Sequence, residues 1–291
     1  NAELKELDVC EILTNYRNQQ TGYKGDSFGT ISSSGPNASV IHYTPQPDTQ
    51  RTLSKHELYL CDSGAHYTNG TTDVTRTLYF GDDQNSKPPS AEIKRCYTRV
   101  LQGYFALYKA IIPDGTPGLI LETYARSPLW RDGLVYGHGT GHGIGCCLNV
   151  HEGPQSIGSG NLPGNIIRES PKRLAMCLEP IRAGMYISNE PGYYKDGEFG
   201  MRIESDLIVH PVRHDAFHEC GDTTTVRQSF LEFECVTKVP MCRTLIDLDL
   251  LNNEERRWVD EYHREVQEAI LPLLDHDDCA KRWLMTETAP L

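Results

Sequence analysis

Apolar positions along this 291-residue chain change period several times, and each change marks an element. Leu4, Leu7, Val9, Ile12 and Leu13 recur at helical intervals, predicting a helix over 2–16 that ends near the polar run 15–20. Residues 21–37 are rich in Gly, Ser and Asn and read as loop. Three short runs, 38–43, 57–61 and 71–80, carry enough β-branched and aromatic residues to predict strands. The polar link Thr68-Asn69-Gly70 suits a hairpin joining the last two. From Ile93 to Ile111 the spacing turns to three-four, which predicts a long helix with Ser90 as its cap. A second helix is expected over 117–130, with proline at its start. Prolines and glycines break up 154–184, which reads as irregular, and so long a loop signals function or an insertion. Residues 185–190 and 200–209 read as a strand pair around the turn-rich 191–198, and 230–236 as one more strand. Trp258, Tyr262, Val266, Ala269 and Ile270 share one face of a helix over 253–274, and 279–284 adds a last helical turn or two.

One stretch fits neither period. Residues 135–154 read VYGHGTGHGIGCCLNVHEGP, with glycine at every second position from Gly137 to Gly145. Alternating glycines strip side chains from one side, so backbone can approach a ligand or another strand closely. His138, His142 and, further on, His151 then project, and imidazole is both the commonest metal ligand and a proton carrier near neutral pH. The overlapping Gly-x-Gly pattern lacks the strand, helix and distant acid of a dinucleotide fingerprint. A glycine-rich surface loop with incidental histidines is the duller alternative.

Charge narrows the field. The formal net charge of -12 opposes non-specific binding to nucleic acid or to anionic membranes. No apolar run approaches the roughly 20 residues that span a bilayer, and the polar opening NAELKELDVC is no secretory signal. Ten cysteines without a Cys-x-x-Cys spacing read as reduced thiols of a cytoplasmic protein, despite sequons at Asn37 and Asn69.

Four carboxylates answer the histidines. Asp62 closes an apolar strand and Asp73 lies on its expected hairpin partner; Glu190 ends a second strand and Glu204 lies across the next turn. Each alone reads more simply as a solvated strand face or an ion-pair partner. Four acids on two hairpins, with a projecting histidine, favour a metal site. They are too many and too oxygen-rich for one structural zinc, and suit two divalent ions such as manganese, zinc or cobalt. A pair of ions of this kind is a device for hydrolysis.

The segments GPNASVIHY, LCDSGAHYTNGTTDVTRT, HGTGHGIGCCLNVHEGP, NEPGYY and MRIESD, in this order, resemble the catalytic domain of aminopeptidase P (Xaa-Pro aminopeptidase), a pita-bread metallopeptidase. The resemblance implies a pseudo-symmetric α/β (α+β) fold, an antiparallel sheet flanked by helices, around a dinuclear, usually manganese, centre. It implies Asp62, Asp73, His142, Glu190 and Glu204 as ligands, with Asp73 and Glu204 bridging. It implies His42, His138 and His151 as histidines that position substrate and move protons, Arg202 beside the scissile proline, and Tyr194 lining the proline pocket. The implied reaction releases an N-terminal residue that precedes proline, with Glu190 taking the proton of the attacking water. The Xaa-Pro bond has no N–H, which makes its cleavage a task apart. A dipeptide-specific prolidase uses a similar set, and metal-free pita-bread modules that bind peptides or histones, or creatinase-like hydrolases, lack it. The expectation is one catalytic domain over 1–291, cut at its N-terminus and without the family's N-terminal domains, possessing a longer loop at 155–182 with Arg168, Lys172 and Arg173, and pairing as a homodimer in the family's manner.

Overall fold

The structure, a computed structural model, describes residues 3–81, 88–158, 171–212 and 229–291. Helix α1 (Glu6–Asn18) is followed by β1 (Tyr23–Asp26) and β2 (Ile31–Ser34), where the sequence predicted loop. β2 escapes a hydrophobicity reading because it buries serines rather than aliphatics. The Ser32 hydroxyl meets the Tyr59 hydroxyl at 2.7 Å and Ser33 donates to the Leu60 carbonyl, so burial leaves both satisfied. The expected strand at 38–43 is instead a 3-10 turn, Gly35–Ser39, followed by turns. Pro36 opens that turn, and Tyr43 points inward to donate to the buried Glu6 carboxylate at 2.9 Å. Asn37 Nδ2 and the Ser34 and Arg51 amides donate to the same carboxylate, which fixes the loop carrying His42.

Strands β3 (Tyr59–Ser63), β4 (Ala65–Tyr67), β5 (Gly70–Thr71) and β6 (Val74–Leu78) come next. β2, β3 and β6 form an antiparallel sheet with β3 in the centre, and Asp62 sits opposite Ile31 on one side and Thr75 on the other. The predicted pairing is therefore present as β3 with β6. The tight link at Thr68 and Asn69 belongs to a smaller sheet of β1, β4 and β5. Helices α2 (Ala91–Tyr108) and α3 (Gly118–Trp130), separated by the short β7 (Ile112–Pro113), match expectation. Ser90 Oγ accepts from the Ile93 amide, as its position predicted. The two helices touch closely at Gly103, where an added Cβ would lie 2.1 Å from the Ala125 carbonyl oxygen.

The second half is built on β8 (Gly141–Ile144), β9 (His151–Ile157), helix α4 (Pro171–Leu178), β10 (Tyr186–Asn189), β11 (Gly192–Lys195), β12 (Phe199–Arg202), β13 (Ser205–Pro211) and β14 (Phe230–Cys235). A six-stranded antiparallel sheet runs in the order β7-β14-β13-β10-β8-β9. The irregular reading of 154–184 thus conceals an edge strand and a helix; 159–170, with Arg168, lie outside the described residues. Helix α5 (Asn253–Ile270) starts at a capping box between Asn252 and Glu255, and α6 (Asp278–Glu287) follows.

A single apolar cluster joins the buried faces of α2, α3 and α5 to the large sheet, with Tyr97, Tyr104, Phe105, Leu121, Leu207 and Tyr262 almost wholly buried. Arg76 of β6 donates to the Val239 and Pro240 carbonyls, to Tyr262 Oη of α5, to Ser205 Oγ of β13 and to the Glu204 carbonyl. It ties the sheet that bears Asp62 to the one that bears Glu204.

Candidate metal centre

Each half delivers two acids to one point. Asp62 is the fourth residue of β3, and Asp73 lies one residue before β6. Glu190 follows the last residue of β10, and Glu204 occupies the break between β12 and β13. His142 comes from β8, whose Gly141 packs so tightly on β10 that an added Cβ would lie 2.0 Å from the Ser188 carbonyl oxygen. His142, Glu190 and Glu204 bring one donor atom each within 4.8 Å of one another, and so do Asp62, Asp73 and Glu204. Glu204 is common to both groups. Two overlapping sets that share a carboxylate are what a bridged pair of cations requires.

The ring orientation of His142 supports this use. Its Nδ1 donates to the Gly143 carbonyl at 2.9 Å, which leaves Nε2 as the free lone pair. Nε2 stands 3.4 Å from Asp73 Oδ2 and 3.4 Å from Glu190 Oε1. That spacing is long for a hydrogen bond and suits donor atoms sharing one ion at about 2.0–2.2 Å. Asp62 Oδ1 is buried without a hydrogen-bond partner, a costly state that a cation relieves. Burial raises the pKa of Asp62 to about 6 and of Glu190 to about 7, and neighbouring acids add to it; Glu204 is held well above the usual carboxylate range, by burial and by Asp73, Glu190 and Asp62. Burial pulls His142 down, but the neighbouring Asp73 and Glu190 carboxylates outweigh it and lift it to about 9, so a cation bound at Nε2 displaces a proton there. Carboxylates crowded into such mutual repulsion fit a divalent cation pair, and the oxygen-rich donor set excludes a copper or structural zinc design.

A second layer holds these ligands. Thr75 Oγ1 donates to Glu204 Oε2 at 2.5 Å, and Ser188 Oγ donates to Glu190 Oε1 at 3.2 Å. The Asp73 amide and the Tyr186 hydroxyl both donate to Asp206 Oδ2. Arg202 donates to Asp62, and its other arm reaches Tyr194 Oη at 2.6 Å. Tyr194 Oη in turn donates to His138 Nε2 at 3.0 Å, while His138 Nδ1 donates to the Gly139 carbonyl. Burial first and Arg202 second drop His138 to about 3, so it is neutral with a fixed tautomer. His42 and His151 are lowered too, by burial first, then by Arg202 and by His142 respectively.

All the predicted residues gather in one cleft. His42, His138, His151 and Arg202 line a cavity of about 230 Å³ together with Asp62, Asp73, His142, Glu190 and Glu204. Tyr194 joins them through Arg202 and His138. His151 lies closer to the acid cluster than expected: its ring is 4.1 Å from that of His142, and it groups with Asp73 and His142 as residues that could hold an ion.

Comparison with known proteins agrees with this geometry. Residues 1–211 match the model for metallopeptidase family M24, and 229–291 match the C-terminal region of peptidase M24. The chain belongs to metallopeptidase family M24. A probable Xaa-Pro aminopeptidase P from Coprinopsis cinerea is 45% identical over 289 residues, which are 99% of this chain and 42% of that protein. The solved X-prolyl aminopeptidase of Caenorhabditis elegans, described as a cytosolic enzyme with a di-nuclear active site, superposes with a TM-score of 0.82 at 33% identity over 99% of this chain and 42% of that one. An Xaa-Pro dipeptidase from Bacillus anthracis follows at 0.60 and 26%, over 82% of this chain and 54% of that one. The fold is thus the pita-bread fold of this family. The chain spans about two fifths of the length of the first two relatives.

Within this M24 site, sequence reasoning passed over Thr75, Ser188, Tyr186 and Asp206. It also passed over the buried pair Glu122–Arg126, 2.7 Å apart. Arg126 donates to the Tyr136 and His138 carbonyls and stacks on the Tyr136 ring, so it sets the backbone from which His138 projects. An arginine four residues after a glutamate on a helix reads as a surface pair; its burial follows from α3 packing against β9.

Proposed function

We propose that this chain is the catalytic part of a dinuclear metallo-aminopeptidase that releases an N-terminal residue from peptides with proline second. The observation that carries the reading is the hydrogen-bonded run Arg202–Tyr194–His138 set directly against the five clustered ligands. Asp62, Asp73, His142, Glu190 and Glu204 would hold the ions. Bound there, two divalent cations supply Lewis acidity to the scissile carbonyl and make a water acidic enough to attack near neutral pH.

The protein's own groups do the rest. Glu190, held at Oε1 by Ser188 and raised towards neutrality, accepts the proton of the attacking water. His151, beside His142, faces the developing oxyanion. Neutral His138 accepts from Tyr194 and positions that phenol, while Arg202 and Tyr194 wall the ring of a proline that offers no N–H. His42 lines the same cavity beside Arg202.

Manganese is the metal this oxygen-rich set favours, with zinc or cobalt as substitutes. A cytoplasmic location belongs to the same reading; buried thiols at Cys96, Cys235 and Cys242 and the description of the nematode relative support it. Among the described residues no helix is long and apolar enough to cross a membrane. A homodimer is part of the proposal on family resemblance. The deciding assay compares an Xaa-Pro dipeptide with Xaa-Pro-Pro and longer peptides under metal loading. Faster release from the longer peptides is expected, and preference for the dipeptide would transfer the chain to the prolidase reading.

A further inference from the structure

The glycine run beside the cleft is soft by composition, and its shape has to be fixed from beneath. Between Tyr136 and Thr140 the side chains alternate with Gly137 and Gly139, and glycine carries more backbone freedom than any other residue. No helix or strand covers these five residues. His138 lines the cavity from their middle, so its placement depends on what grips the segment. One buried ion pair on α3 supplies the grip. Arg126 donates to Glu122 Oε1 at 2.7 Å and to the Tyr136 and His138 carbonyls, each at 2.8 Å, and its guanidinium lies 3.8 Å from the centre of the Tyr136 ring. The Tyr136 hydroxyl meets Thr140 Oγ1 at 2.6 Å, and Thr140 Oγ1 donates to Glu122 Oε1 at 3.4 Å. Positions 136, 138 and 140 are thus all tied to the same pair.

The far end of the segment is referenced to Glu190, whose amide donates to the Thr140 carbonyl at 2.8 Å. His138 Nδ1 consequently stands 4.0 Å from Glu190 Oε2. The chain leaving β9 closes over the pair: at Gly158, where φ is +74°, an added Cβ would lie 2.1 Å from Glu122 Oε1. An ion pair buried this deeply gains little net stability, because desolvation offsets its attraction. Its geometry has a clearer use. Holding the His138 carbonyl fixes the peptide between 138 and 139, and with it the direction of the Gly139 carbonyl to which His138 Nδ1 donates at 2.7 Å. That bond selects the tautomer whose Nε2 lone pair accepts from Tyr194.

We propose that Glu122 and Arg126 are positioning residues for the reaction, which act through the 136–140 segment to hold His138 in one tautomer and in register with Glu190 and Tyr194. This role rests on the Xaa-Pro reading above and extends it to a pair that lines neither the cavity nor the acid cluster. Arg126→Lys keeps the charge, but an ammonium lacks the planar fork that spans two carbonyls and a carboxylate. Thr140→Val removes the hydroxyl joining Tyr136 to Glu122 and changes little in shape, so it tests the same link without emptying the core. Each loosens His138 and should lower kcat/KM for Ala-Pro-Ala about 10-fold at wild-type metal content.

The test measures metal content and cleavage of Ala-Pro-Ala in the manganese-loaded chain. In the zinc-loaded chain it records the nitrogen NMR resonances of the His138 ring, assigned by their loss in His138→Ala. Wild type should show a proton on Nδ1 and none on Nε2. In Arg126→Lys and Thr140→Val the two ring resonances should move towards each other as the tautomers mix, in step with the fall in rate. Thr140→Ser, which keeps the hydroxyl, should recover most of the rate and the wild-type resonances. Unchanged rates in Arg126→Lys and Thr140→Val, or slower cleavage with the His138 resonances unmoved, would overturn the positioning role and leave the aminopeptidase reading standing. Loss of the fold or of bound metal in Thr140→Val would assign the pair to stability alone and overturn the role too. Resonances that move as expected in a chain whose wild type cleaves no Ala-Pro-Ala would overturn the aminopeptidase reading and keep the hold on His138.

Discussion

Side chain by side chain, the centre is a set of groups that destabilise the metal-free fold. Burial raises Asp62 to about 6 and Glu190 to about 7, and burial with the charge of Asp73 raises Asp206 to about 8. A carboxylate whose folded pKa exceeds its unfolded value near 4 keeps its proton longer in the fold, so stability falls as pH rises through that window. His142 acts in the same direction: raised to about 9, its contribution is complete below about pH 6.5 and lost as pH climbs towards 9. Burial lowers His138 to about 3 and His263 to about 4; their opposite effect is spent below about pH 6.5. Above that pH the strongly shifted groups of the centre therefore pull together. Thermal unfolding in chelator should show a lower Tm near pH 8.5 than near pH 6.5, and saturating divalent ions should flatten the difference. A metal-free Tm that is constant or rising across this interval would contradict the assignment.

At the level of elements, the decisive contact is β8 on β10, because it sets His142 beside Glu190. Gly141→Ala forces a methyl against the Ser188 carbonyl oxygen. Overpacking of this kind costs about 1–3 kcal/mol, and displacing a ligand by about 1 Å costs on the order of 100-fold in rate. Gly137→Ala has nothing within 4 Å of the new methyl and should leave Tm unchanged. Melting curves of the two variants, with metal content for Gly141→Ala, check this; equal Tm values would sink it. The long helices α2 and α5 were legible because their apolar faces repeat at three and four over 18 residues each. The strand of buried serines at β2, the edge strand β9 with its exposed first half and the helix α4 behind Pro171 were not, since register and packing, not local pattern, make them. The four acids of the cluster could be read because an acid interrupting an apolar strand is conspicuous, and His142 because alternating glycines leave it projecting. Thr75, Ser188 and Asp206 could not, because a hydroxyl or a further acid gains its role only when the sheets are laid together.

For the molecule as a whole, the site exists because two sheets are held together at their strand ends by β6 and the start of β13. Asp62 and Asp73 come from β3 and the approach to β6, Glu190 and Glu204 from the end of β10 and the approach to β13, and Arg76 spans the two through Ser205 and the Glu204 carbonyl while anchoring on Tyr262 of α5. The central claim is that this assembly binds two ions through five residues and that hydrolysis depends on both. The direct measurement titrates manganese into chelator-treated chain while following bound metal and cleavage of Ala-Pro-Ala in parallel, for wild type and His142→Ala. Two ions per chain, activity that needs the second equivalent, and a variant that loses both tight binding and cleavage are the predicted result. Saturation below two ions, cleavage indifferent to metal, or unchanged turnover in His142→Ala would contradict it.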